Sequence, residues 1–186
     1  LRYSDMVPAD LSPLQTNFGA VNGPLGTLIA VTAYTDGTIR AGTAYGTEAS
    51  GVRRSTSAEF SLPDAYVLTN GAGAGRYPIR GGTDAGIVAQ PLTAAEARAI
   101  LEEAFTVLSR ARAQIRRPLD SRMQATISLV DSQGAILGIV RSPDGPMFGT
   151  DVSLQKARTA TFFSSPTAAA QMGTSARSAP YVQRVR

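Results

Sequence analysis

The chain has 186 residues, 43% of them hydrophobic, which is enough for one domain with a real core or one domain plus an extension. It has no Cys and no His, and that excludes Ser-His-Asp and Cys-His hydrolase chemistry, ordinary zinc sites, c-type haem attachment, proximal-His haem and disulfides. The net charge is +4, but the basic residues are dispersed and not interleaved with aromatics, so the reading carries no nucleic-acid partner, and no apolar stretch reaches the roughly 18 residues of a membrane span.

Of the 18 basic residues only Lys156 is Lys; the rest are Arg, which favours bidentate pairing with carboxylate or phosphate, although codon bias accounts for the ratio equally well. The first residue is Leu1 and not Met, as trimming or loss of an export signal would leave it. Residues 1–25, rich in Pro, Gly and Asn, read as an extended arm. Residues 26–90 read as β-rich. They open with a hairpin over 26–46, in which Thr27 to Tyr34 and Thr38 to Tyr45 flank Asp36-Gly37, a strong two-residue turn signal. Residues 47–64 read as loop and 65–69 as a short strand. The glycine run from Asn70 to Arg76 has the look of a phosphate cradle. The next residues, Tyr77-Pro78-Ile79-Arg80, are extended and not helical, so a flexible turn is the stronger reading.

Residues 93–117 carry the clearest signal. Thr93 and Glu96 form a capping box, apolar residues recur at helical spacing from Ala97 to Ile115, acids come early and arginines late, and Pro118 ends the pattern. A second hairpin pairs Gln124 to Val130 with Ala135 to Val140 through an Asp131-Ser-Gln-Gly134 turn. The second of these strands is apolar on both faces and therefore central. A helix then starts near Thr150 or Asp151 with a stripe of small residues (Ser153, Ala157, Ala160, Ser164) suited to close packing against a sheet or partner helix. A short helix over Thr167 to Met172 ends at Gly173, and 174–186 reads as a polar tail.

The order helix, then TISLVDSQGAILGIVRSPDG, then DVSLQKARTATFFSSPT resembles the glycolate-operon G / haem-binding-protein S family, whose domain also occurs attached to cobalamin adenosyltransferases. The resemblance rests on Val130, Asp131, Gly134, Arg141, Asp144, Gly145, Lys156, Ala157, Arg158, Thr159, Ala160 and Thr167, and it spans about residues 92 to 170. It implies an α+β, profilin-like fold, an antiparallel sheet flanked by helices. The β-hairpin region before it is extra, and residues 91–173 form the helix–hairpin–helix core. It also implies homo-oligomers, haem as a cofactor in some members, and a periplasmic or extracellular location. The family's glycine-rich strands after the KARTA helix have no counterpart here; the first 90 residues, a second chain or a lost C-terminal part would supply them. A haem-contacting His cannot be carried over.

On this reading a planar anionic ligand such as haem meets the segment from Arg141 to Lys156. Arg141 and Lys156 pair with its carboxylates, Met147 is an axial or face contact, and a Tyr is a candidate iron ligand. Each residue has a structural alternative: a salt bridge from Arg141 to Asp144 or Asp151, a helix-end tie for Lys156, and packing of Met147 beside Phe148. Asp131 reads as a turn residue and not a general base, and Glu102 and Glu103 point in different directions, so no catalytic residue is assigned. The expected function is a secreted oligomeric binding module. The alternatives are a structural assembly subunit without a ligand, and an interface enzyme using carboxylates, Arg and Tyr.

Overall fold

The computed structural model describes residues 41–184. The expected arm and nearly all of the first hairpin lie outside these residues. The chain from Thr43 onward forms one compact α+β unit.

Four strands, β1 (Val52–Arg54), β2 (Tyr66–Leu68), β3 (Thr126–Val130) and β4 (Ile136–Arg141), make an antiparallel open sheet in the order β1-β2-β4-β3. β4 is thus central, as its two-sided apolar pattern predicts, and every residue of it after Ile136 is buried. β3 and β4 pair from Thr126 opposite Arg141 to Val130 opposite Ile136, with a register irregularity at Leu129/Val130. The turn between them is the expected one: Asp131 Oδ1 accepts from the amides of Gln133 and Ala135, and Gly134 takes φ 80°.

Helix α1 (Ala94–Arg110) opens on the predicted capping box, with Thr93 and Glu96 bonded reciprocally. Its Leu101 and Phe105 pack with Phe60, Ala65, Val67 and Val140, backed by Ile127 and Leu129. Gly138 lets Leu101 come this close, since a Cβ there would lie 2.7 Å from the leucine methyl. Helix α2 (Gly149–Ser164) lies on the other face, where the Ser153 hydroxyl meets that of Ser128 at 2.9 Å. Two short helices follow, α3 (Ala168–Gly173) and α4 (Ala179–Arg184). No described helix is long and apolar enough to cross a membrane.

Several boundaries differ from expectation. The long helix stops at Arg110 and not near 117. Ala111 turns extended at ψ 136°, and Ile115, counted in the apolar stripe, is 97% exposed. Pro118 disfavours helix in the residue before it, and past Arg110 the stripe faces no core. The segment forms instead a short bridge of Arg112 to Arg122, with Arg117-Pro118 cis. The 47–64 loop contains a 3-10 turn (Glu48–Ser50) and β1. Helix α2 begins at Gly149, with Phe148 and not a polar side chain at the cap position. The expected polar tail contains α4, whose Val182 is buried.

Candidate functional site

Arg141 ends the central strand with its side chain wholly buried (0% exposed), the largest such side chain among the described residues. The register sets its neighbours: Tyr66 of β2 on one side and Thr126 of β3 on the other. The chain then turns through Ser142, whose hydroxyl accepts from the Ala125 amide, and reaches Gly145. A Cβ at Gly145 would sit 3.1 Å from the Ala125 carbonyl oxygen, so glycine lets the loop lie close on the residue before β3 without pushing it aside. That approach aims the Gly145 carbonyl at Arg141 Nη2, and Arg141 Nη1 donates to Met147 Sδ at 2.9 Å.

No carboxylate pairs with Arg141 among the described residues. Asp144 lies outward and takes Arg116, and Asp151 is exposed on α2. Arg141 Nε has no hydrogen-bond partner among the described residues. A guanidinium carries five donors; here two are engaged, one of them to a thioether, a weak acceptor. Removing a cation from water costs several kcal/mol unless charge and hydrogen bonds compensate it. The hydroxyls of Thr126 and Thr150 are likewise buried without a partner, so three of the five such side-chain atoms among the described residues belong to this corner. Its rim carries Tyr45, which donates to the Pro143 carbonyl at 2.6 Å and stacks on Tyr66 at 6.0 Å. Partial burial raises the Tyr45 pKa, and the nearby Arg141 charge opposes that rise. Phe148 stands 75% exposed beside Met147.

Of the three sequence-derived residues, Arg141 and Met147 meet directly. Lys156 is exposed, six residues beyond Thr150 and so about 9 Å further along α2. Thr150 lay inside the expected segment but was read only as a helix cap, a Tyr was expected without a position, and Thr126 escaped the sequence reading. The pairing of Thr126 with Arg141 was implicit in the hairpin register, but nothing in the sequence brings Tyr45 to this loop.

The other polar features have structural occupations. In the glycine run, Asn70 Oδ1 accepts from the amides of Ala72 and Ala74, and Glu48 Oε1 accepts from that of Gly73, so a side chain of the chain itself fills the place an anion would take. Asp131 Oδ2 holds the amide and hydroxyl of Thr83, and Asp84 Oδ2 holds those of Ser132; both carboxyls sit below their ordinary pKa range, Asp131 by its four hydrogen bonds acting against burial and Asp84 through Ser132. Glu102 accepts from Ser61 while Glu103 faces solvent. A cavity of about 210 Å³ between Phe60, Val67 and Ile79 has Arg98 at its edge, but that guanidinium is held by the carbonyls of Ala58 and Glu59. The described residues contain no cluster of three or more His, Cys, Asp or Glu placed for a metal. No family model, curated protein or solved structure matches the chain.

Proposed function

We propose that the chain is an oligomeric binding module of the haem-binding-protein S type, profilin-like in fold, secreted or periplasmic, with its ligand site at the Arg141–Met147 loop. One observation carries this reading: a fully buried guanidinium with no acid beside it among the described residues. A purely structural arginine would carry its own counter-ion, whereas a receptor leaves that place to the ligand. The exposed ring of Phe148 and the thioether of Met147 add the apolar and soft surface that a planar macrocycle such as haem would lie against. Lys156 supplies a second cation further along α2.

Val152, Phe162 and Phe163, all exposed on α2, favour a second reading in which this helix is an assembly face and no ligand exists. Haemin titration followed by absorbance, with the native mass measured alongside, tests both. The binding module gives a Soret band that saturates at a fixed ratio per subunit. A colourless protein whose mass shows assembly and whose spectrum ignores haemin overturns the haem reading and leaves the assembly subunit.

A further inference from the structure

The corner around Arg141 has a more specific chemistry than affinity for a macrocycle. Thr126 stands opposite Arg141 across the sheet, and the position of a Cβ on Gly149 would be 3.9 Å from the Thr126 hydroxyl oxygen. Gly149 and Thr150 form the first turn of α2, which has no side-chain cap. The register and this approach bring the start of α2, Thr126 and Arg141 to one end of the sheet, with Thr150 next to Gly149 in the helix, and the three atoms left without partners, Arg141 Nε and the two hydroxyl oxygens, all belong to groups able to donate. Donors gathered around a buried cation at the positive end of a helix select an anion.

The charge count narrows the class. One guanidinium neutralises one negative charge, and a dianionic phosphate at the same guanidinium would keep an uncompensated charge. A carboxylate matches both the single charge and the planar fork. The exposed Met147 side chain occupies Nη1 through the weakest acceptor in the set, so it is the group easiest to displace.

We propose that Arg141 receives a ligand carboxylate, with the Thr126 and Thr150 hydroxyls donating to it and Met147 turning outward to admit it. This rests on the binding-module reading and adds the chemical class: a small free monocarboxylate, or the carboxylate arm of a larger molecule such as haem. Thermal unfolding in propionate, chloride and phosphate at matched ionic strength separates the anions, and absorbance titration with haemin and with haemin dimethyl ester separates the two sources. The expected result is a midpoint that rises with propionate alone, by about 4 °C per tenfold increase once the site is saturated. Thr150→Val and Thr126→Val, which keep the side-chain shape and whose folding their own unfolding midpoints report, should each weaken propionate binding about tenfold, and Met147→Ala should strengthen it. Haemin binding tighter than its dimethyl ester, with weak response to propionate, assigns the carboxylate to a haem arm. Haemin and its ester binding alike, with no response to propionate, removes the carboxylate seat and leaves the binding module standing. A propionate response without haemin uptake keeps the seat and removes haem. No response to propionate in wild type or in Met147→Ala, with both threonine variants unchanged, overturns the proposal.

Discussion

Two arginines on one sheet are handled in opposite ways. Arg53, on the edge strand β1, keeps 17% of its side chain exposed and has a full set of acids: Nε reaches Glu48 at 2.8 Å, and Nη1 and Nη2 grip both oxygens of Glu59 at 2.8 and 3.0 Å. Arg141, on the central strand β4, has no exposure and no acid among the described residues. The more buried cation is the less satisfied one, the reverse of what stability alone would produce. The Arg53 cluster is a finished structural tie. The Arg141 corner leaves buried donors without acceptors among the described residues, and the proposed ligand would supply them.

The comparison is most sharply tested by the same substitution at both positions. Arg53→Met leaves the Glu48 and Glu59 carboxylates without their cation and should lower stability by about 2–3 kcal/mol in urea unfolding. A loss no larger than that of an ordinary surface substitution would break the contrast from the Arg53 side.

Acid should probe the same cluster next. The Arg53 guanidinium, with help from the Thr56 amide, holds the Glu59 pKa down to about 2 from an ordinary 4.5. A depressed carboxylate stabilises the fold fully above its unfolded pKa and loses that contribution as pH falls toward the folded value. Stability should therefore decline between about pH 4.5 and 2. Glu48, Asp84, Glu96 and Asp131, all lowered by hydrogen bonds they accept, act in the same direction. Glu59→Gln should flatten that decline; an unchanged slope would remove Glu59 from the account.

Arg141→Met should change stability by no more than about 1 kcal/mol, neutral or in the stabilising direction, because a buried charge with no counter-ion among the described residues is exchanged for an apolar chain of similar reach. Lys156→Ala should have the smallest effect on the fold, within about 0.5 kcal/mol, while weakening haemin uptake. Uptake equal to wild type in titration would take Lys156 out of the site.

The parts of the fold that could be read from the sequence are those decided locally. The Thr93–Glu96 capping box placed the start of α1, the Asp131–Gly134 turn set the second hairpin, and the two-sided apolar run of 135–140 put that strand in the middle. The expectations that failed depended on elements distant in the chain. The apolar spacing through Ile115 continues past the sheet that would have covered it. β1 is a three-residue strand containing two arginines, and only its pairing with β2 makes it a strand. The site obeys the same rule. Arg141 and Met147 were within one loop and within reach of the sequence, but the absence of an acid beside Arg141 among the described residues is a three-dimensional fact: Asp144, three residues away, turns to Arg116.

The most direct measurement is the thermal midpoint of wild type and Arg141→Met, side by side, in propionate and in chloride at equal ionic strength. The account predicts a midpoint that rises with propionate in wild type and stays fixed in the variant, which is itself no less stable in chloride. Identical responses in the two proteins, or an Arg141→Met variant destabilised as strongly as Arg53→Met, would show that Arg141 is a structural residue and contradict its role as a carboxylate receptor.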